Sequence, residues 1–435
     1  MPLGKKTLII VAAIVIIAII AAYYYFFILT KPAKILWAST QLCPTKERAF
    51  VEGELLPAFK EEKGIEVEFV PISYEDLATR MEAEMKAKKV TISVVAELHG
   101  GLDLFASKQY LEDLTKFGAL SGRTFPEILE KYSKIHGIKA YIPWLTATYV
   151  MVVNKKAFQY LPEGLTEQDV IEGTDKWTYD ALLEWAKKLQ EETGSPKLGF
   201  PVAPKGLFHR FLHGYLYPSY TGAQVKNFAS DDAVRMWNYL KELWQYVNPS
   251  STTWDAMAEP LLKEEVWIAW DHTARIKDAI VQKPDQFVVV PVPRGPKGRG
   301  FILVVVGLAI PKNAPNKEAA WKLIEYLTRP EVQVKILEKV GFFPSTNEAV
   351  GKIPSGSLKI MATGVNKQVS SKDAILAMIP SLGPKGGEFC KAYREAFERI
   401  VIKGEDIRTV INEIGPKLLK LFEETGAPLP PPDSG

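Results

Sequence analysis

The chain is poor in cysteine, with two thiols, Cys43 and Cys390, in 435 residues. So few, so far apart, make neither a metal motif nor a disulfide framework, and their spacing leaves open whether they pair. Net charge is scarce as well. Lys and Arg total 54 against 51 Asp and Glu, and a formal +3 gives no electrostatic footprint for nucleic acid. No G-x-x-x-x-G-K-S/T loop is present to cradle nucleotide phosphates. GPKGRG, from Gly295, spaces its glycines wrongly for a dinucleotide fingerprint and suits a hairpin loop. G-x-S-x-G, H-E-x-x-H and an N-x-S/T acceptor with an allowed middle residue are all missing, and no internal repeat is visible.

Aromatic and apolar residues are abundant. Hydrophobic residues make up 47% of the chain, with 10 Trp, 17 Tyr and 20 Phe, a supply that suits an apolar or sugar-faced cleft. The length exceeds one compact core and points to two lobes. The longest apolar run, TLIIVAAIVIIAIIAAYYYFFIL, covers 7–29 without a charge. As a helix it would reach about 35 Å, enough for a hydrocarbon core of roughly 30 Å. Tyr23, Tyr24 and Tyr25 lie near one end, where an interface belt would place them. A cleaved signal would be shorter and end at a small-residue site. The expectation is an uncleaved single-pass anchor. Lys5 and Lys6 on one flank and Lys31 and Lys34 on the other do not settle its orientation.

Beyond the anchor, periodicity predicts a strand at ILWAST, a helix over ERAFVEGELLPAFKEEK closed by Gly64, and a strand at IEVEFVPI. A helix at YEDLATRMEAEMKAKK and a strand at TISVVAEL follow, and this alternation argues a parallel sheet. GIKAYIPWLTATYVMVVNKKAF is a β-rich crossing to the second lobe, and the second strand of QFVVVPVPRGPKGRGFILVVVGLAIP is the return. WTYDALLEWAKKLQEETG is a helix ending at Gly194, and NKEAAWKLIEYLT is one with Asn316 as its N-cap. The tail GAPLPPPDSG reads as polyproline-like and disordered.

Two stretches could carry chemistry. His209 and His213 in HRFLH share a helix face, but no third ligand accompanies them locally, and Phe208, Phe211 and Tyr215 make it an aromatic face. EEVWIAWDHTARI, from Glu264, reads as a strand running into a helix. Asp271 or Thr273 is the expected N-cap, with Arg275 one turn in and paired to Asp271 or Asp278. Trp270 ends the strand, where an α/β cleft opens, and the pattern allows either core packing or ligand contact.

Taken in order, ILWAST, ISVVAELHGGLDLFASKQYLEDLT, YIPWLTATYVMVVNKKAF, KWTYDALLEWAKKL and LLKEEVWIAWDHTARI resemble segments of one family. VVVPVPRGP, VGLAIPKNAPNKEAAWKLIEYLTRPEVQ and MIPSLGPKGGEFCKAYREAFERIVIKGED continue the series. The chain from about Ile35 to Glu424 resembles the extracellular solute-binding proteins of ABC importers, in their maltose-binding-protein-like, carbohydrate-binding branch. The resemblance implies an α/β, two-lobed periplasmic-binding-protein-like fold with a hinge of crossing strands, preceded by the transmembrane helix. Lobe 1 is expected at 33–142 and 300–342, lobe 2 at 143–299 and 343–425, and the Pro-rich tail at 426–435. The implied function is capture of a sugar or oligosaccharide between the lobes for delivery to ABC permease subunits and their cytoplasmic ATPase. The protein would be a monomer at the cell membrane with its large domain outside, without cofactor, metal or turnover.

The resemblance places ligand contacts at Trp37 and Gln41 on the first strand's end and at Glu97 and His99 in the cleft loop. Trp144, Thr146 and Thr148 lie on the crossing, and Lys205, Phe208 and His209 on a second-lobe loop. Trp270 stands at the family's stacking tryptophan, with Asp271 and His272 beside it to cap the helix or bond hydroxyls, although Val266 and Trp267 replace the usual glycine. Cys390 replaces an aromatic, which passes the stacking to Phe389 or Tyr393. Both cysteines would then line the cleft from opposite lobes as free thiols, a disulfide being the alternative. Besides a solute receptor that reports to a signalling partner, two other functions fit parts of this pattern. One is an anchored glycoside-active enzyme using Glu97 and Asp271; the other is the same fold binding a peptide, polyamine or metal.

Overall fold

The computed structural model describes residues 14–20, 34–382 and 385–434. Of the apolar run 7–29, only 14–20 falls within them, as a helical piece with exposed side chains; the rest of the expected anchor lies outside the described residues. Among the described residues no helix is long and apolar enough to cross a membrane.

The βαβαβ start predicted from periodicity is present. Strands β1 (Lys34–Ser39), β2 (Glu66–Pro71) and β3 (Val94–Leu98) pair in parallel, with β1 in the middle. Ile35, Trp37, Ala38 and Ser39 are all buried, as expected for a parallel strand covered on both faces. The first helical run ends at Gly64, whose φ of 65° is the left-handed stop that glycine adopts without cost. Helix Tyr74–Lys86 starts at Ser73, whose hydroxyl accepts the Asp76 N–H, and buries Leu77 and Met81 beneath the sheet.

After a small hairpin of β4 (Lys134–Ile135) and β5 (Ile138–Lys139) comes β6 (Ile142–Asn154), thirteen residues with every one buried. The remaining strands are β7 (Leu198–Gly199), β8 (Ile268–His272), β9 (Phe287–Val290), β10 (Arg299–Ala309), β11 (Phe343–Pro344) and β12 (Ala374–Ala377). Sheet order is β2-β1-β3-β10-β6-β8-β7, with β12 on β10 and β9 and β11 on β6. Two long antiparallel strands thus serve both halves. Residues 306–309 of β10 pair with β3, and residues 299–302 pair with β12. Leu145 and Thr146 of β6 pair with β11, whereas residues 149–153 pair with β8.

Helices Lys317–Leu327 and Pro330–Lys339 cover one face of the first half, packing Trp321, Leu323 and Ile336 into a core with Trp37, Phe59 and Trp144. Helices Tyr179–Thr193, Asp231–Trp244, Gly386–Phe397 and Ile407–Thr425 enclose an aromatic core in the second. That core holds Trp185, Trp237, Tyr217 and Tyr393. Most of the aromatic surplus is therefore structural.

Two expectations are corrected. Asn316 sits at the N-cap position, but its side chain donates to the Lys34 carbonyl instead of capping, because its own φ of 52° turns the backbone left-handed. The tail is ordered through residue 434 and packs onto the second half. The Asp433 carboxylate, 4% exposed, accepts the successive N–H groups of Gln224, Val225 and Lys226. Pro431 also offers its carbonyl to Met378 N–H. Composition suggests a solvated tail, but a carboxylate held in a nest of N–H groups fixes it. Asp433→Ala should cost about 1.5–3 kcal/mol, the range for hydrogen bonds to a charged group. A denaturant midpoint identical to that of the parent chain would show that the tail contributes nothing.

Candidate ligand-binding cleft

Strand register locates the cleft. β3 ends at Leu98, opposite Val306, which in turn faces Leu145 on β6. β8 ends at His272, opposite Tyr149, and β12 ends at Ala377, opposite Ile302. The carboxyl ends of the two strand sets therefore face each other across four residue steps of β6, about 13 Å at roughly 3.3 Å per residue. Ligands of open α/β sheets bind beyond such ends. Residues 146–148 and 303–305 form the floor. A small cavity there is lined from both sides, by Leu98, His99 and Gly100 and by Met378 and Ile379. Gly100 permits that approach, since a Cβ on it would lie 3.1 Å from both Ile379 O and Ser381 N.

The first wall is built where β1 and β3 run out. Ser39 Oγ accepts the Gln41 N–H and donates to Gln41 O, which fixes the turn, and Gln41 Nε2 donates to Thr40 Oγ1. Cys43 Sγ lies 3.4 Å from Ser39 O. Glu97 is buried with no partner for Oε2, and burial pushes its carboxyl up to about 7 against the opposing Thr40 hydroxyl and Leu98 N–H. His99 is buried and held down to about 4 by desolvation. Tyr141 spends its hydroxyl proton on Tyr132 O, so His99 Nδ1–H donates to the Tyr141 oxygen at 2.9 Å. Trp37 and Trp144 lie deeper. They are fully buried and meet edge to face at 5.4 Å, and Trp144 Nε1 donates to Leu327 O. On the floor, Thr146 Oγ1 donates to Phe343 O, and Thr148 Oγ1 donates to Ile302 O while accepting from Gln368 Nε2.

The second wall begins at β8. Trp270 has no exposed surface. It stacks on Tyr149 at 5.0 Å and 7° and meets Phe211 and Tyr215 edge-on. Asp271 is still paired within the sheet, so it does not cap the next helix. Its carboxylate turns inward to accept the Met257 and His272 N–H groups, and burial raises it to about 7. The cap of helix Thr273–Gln282 is His272, neither Asp271 nor Thr273: its Nδ1 accepts the Ala274 N–H at 3.2 Å. Arg275 pairs with neither Asp271 nor Asp278 and donates to Lys205 O and Asp255 O.

Lys205 is exposed on a loop whose shape is set by its N–H donating to Asp255 Oδ1. His209 Nδ1 accepts from Arg394 Nη2 at 3.0 Å. His213 bonds Gln224 Oε1 through Nδ1 and accepts from Arg210 Nη1 through Nε2. Among the described residues no group of three or more His, Cys, Asp or Glu could hold a metal ion. Phe208 packs with Phe200, Trp244 and Phe397 in the core. Phe389 packs on His213 at 5.0 Å, and Tyr393 donates its hydroxyl to Gln224 O. Cys43 and Cys390 are free thiols. The structure thus gathers Gln41, Glu97 and His99 at one wall and Lys205, His209 and Asp271 at the other, and keeps the tryptophans behind them. Sequence reading missed Arg210 and Arg394; the arginine inside HRFLH and the one a turn after Cys390 were the available signals.

The Glu97 shift has a measurable sign. Its carboxyl binds a proton more tightly in the folded chain than at its ordinary value of 4.5. The resulting stabilisation is complete below about pH 4.5 and is lost as pH rises through about 7. Glu97→Gln should remove that dependence, gaining about 3 kcal/mol on the parent between pH 4 and 8. Parallel stability curves for the two chains would contradict a buried, unpartnered carboxyl.

Comparison with known proteins gives one family. The sequence profile described as bacterial extracellular solute-binding protein matches residues 44–334. Among solved structures, the sugar-binding protein MalE of the phytopathogen Xanthomonas citri superposes with a TM-score of 0.71, at 17% identity, over 91% of this chain and 98% of that one. Maltose-bound MalE3 of T. maritima gives 0.61 at 19% identity over 89% and 100%. The bacterial solute receptor AcbH, which prefers β-D-galactopyranose, gives 0.72 at 15% identity over 90% and 98%. At these identities the likeness is one of fold. Among curated proteins, the spermidine/putrescine-binding periplasmic protein of Escherichia coli K12 is 46% identical over 56 residues, 13% of this chain. The match spans only 16% of that relative's length.

Proposed function

The chain belongs to the bacterial extracellular solute-binding protein family, in the fold of its maltose-binding-protein-like members, and from that premise we propose that it is a sugar receptor of an ABC importer. It captures a sugar or oligosaccharide between two lobes, 33–142 with 300–342 and 143–299 with 343–425, and delivers it to a permease. The apolar run 7–29 holds it, as a monomer, on the outer face of the membrane. The observation that carries this reading is the convergence of both sets of strand ends on residues 146–148 and 303–305.

Gln41, Glu97 and Lys205 are the groups we assign to sugar hydroxyls, while Asp271, turned inward to the Met257 and His272 N–H groups, belongs to the frame of the second wall. A protonated carboxyl both donates and accepts, which suits a hydroxyl partner. Trp270, Trp37 and Trp144 shape the walls from beneath, as do Phe208, Phe389 and Tyr393, with His99, His209, Thr146 and Thr148 holding the frame. Binding without turnover is supported by the spacing of the two carboxyls. Glu97 faces Gly307, which faces Pro143, whereas Asp271 faces Val150, seven residues further along β6. That is on the order of 20 Å, well beyond the roughly 5–9.5 Å of a glycosidase pair.

The test is thermal unfolding of the chain with mono- and oligosaccharides, spermidine and peptides. A bound sugar should stabilise the folded state by about 2.7 kcal/mol at a hundredfold excess over its Kd, with no product on long incubation. Stabilisation by spermidine or a peptide alone would overturn the sugar assignment, and a hydrolysed sugar would overturn the receptor.

A further inference from the structure

The second wall carries cations that the local structure does not neutralise. Of the chain's twelve arginines, eight pair with Asp or Glu. Three of the other four, Arg210, Arg275 and Arg394, converge here from three helical elements. Arg394 donates to Pro204 O at 2.9 Å and Gly206 O at 2.6 Å, and Arg275 donates to Lys205 O between them at 3.1 Å. Two guanidinium groups therefore hold three successive carbonyls of one loop. The fields of Arg210, Arg275 and Arg394 all reach His209, and those of Arg210 and Arg275 reach Tyr149 and His272.

Every hydrogen bond these arginines make goes to a carbonyl oxygen or an imidazole nitrogen. Arg210 Nε is buried without a partner. All three residues are half-buried, beside the strand-end residues Tyr149 and His272 that the fields of Arg210 and Arg275 reach. Among the described residues no nearby acid forms an ion pair with them, although the field of Asp255 reaches Arg394 and that of Arg275 reaches Asp271. Asp255 is committed to the Lys205 N–H, and Asp271 is buried and turned towards Met257. Lys205 adds a further exposed positive charge. Holding the loop explains one Nη of Arg275 and both of Arg394, but it leaves Arg210, bonded to His213 alone, and the rest of Arg275 outside that role.

Resting on the sugar-receptor reading, we propose that this arginine group is the specificity element of the cleft and takes an anionic group of the solute. The ligand is then an acidic sugar bearing a carboxylate or a phosphate. Forked N–H donors match either oxyanion, and such charge-assisted bonds are roughly twice as strong as those to a neutral hydroxyl. The same charge repels a polyamine.

The experiment is calorimetric titration of the full chain with matched pairs: hexoses against hexuronates, hexoses against hexose phosphates, and neutral against uronic oligosaccharides. The acidic member of one pair should bind at least about tenfold more tightly, the pair itself distinguishing carboxylate from phosphate. Arg210→Gln, which touches no carbonyl of that loop, should weaken the acid at least about tenfold and leave its neutral partner within about twofold. A loop-holding role alone would weaken both partners equally, and that result would overturn the proposal. Should that variant fail to fold, the parent chain decides by salt: the acid's Kd must rise between roughly 50 and 500 mM salt, and a flat response overturns the proposal. Neutral sugars binding as tightly as acids would sink this inference while leaving the receptor standing. Binding of spermidine and of no sugar would sink both.

Discussion

The antiparallel pairing of β6 with β10 is the constraint on which the rest depends. Both strands are long enough to serve two sheets, and they pair from Ile142 opposite Leu308 to Thr148 opposite Leu303. Their backbone groups have no water to turn to, because almost every residue of either strand is buried. A slip of one residue would invert every side chain between the faces, so the register is held tightly. The one irregularity, between Val306 and Gly307, falls where β10 meets the end of β3. The distance between the two sets of strand ends, and so the width of the cleft floor, follows from this pairing.

The two walls then differ in how they treat charge. On the first, burial lifts Glu97 to about 7, so that it titrates across neutrality, and depresses His99 to about 4, which leaves the imidazole neutral. The second keeps its histidines neutral by burial and by neighbouring arginines, yet leaves the arginines themselves without acids. Unpaired guanidinium groups are costly to bury fully, and all three residues remain only half-buried. A fold built only for stability would have covered them with carboxylates, as it does for Arg399 with Glu395, Glu405 and Glu413.

Much of the first half was legible because its signals are local. The strand and helix starts, Ser73 as a cap and Gly64 as a stop all act within a few residues. The junction at EEVWIAWDHTARI was legible as an element boundary with His272 among its cap candidates, but the choice between them was not. Asp271 is the better capping residue by propensity, yet its strand pairing with Val150 and the buried Met257 N–H claimed its carboxylate, and His272 took the role. Trp270 could not be assigned from pattern, since a strand-end tryptophan looks alike whether solvent or Tyr149 covers its face. The tail misled because a nest of N–H groups at 224–226, two hundred residues away in sequence, leaves no trace in its composition.

By itself the sequence determined the alternation of strands and helices, the two-lobed family fold, and the absence of the common catalytic and nucleotide loops. These rest on periodicity, short-range turn chemistry and the order of segments, all carried along one dimension. Tertiary structure decided which aromatic residues became core, which histidine became a cap, and where three arginines met. Each of those outcomes depends on which distant groups satisfy a buried polar atom or cover a ring. That competition is settled only when the chain has closed on itself.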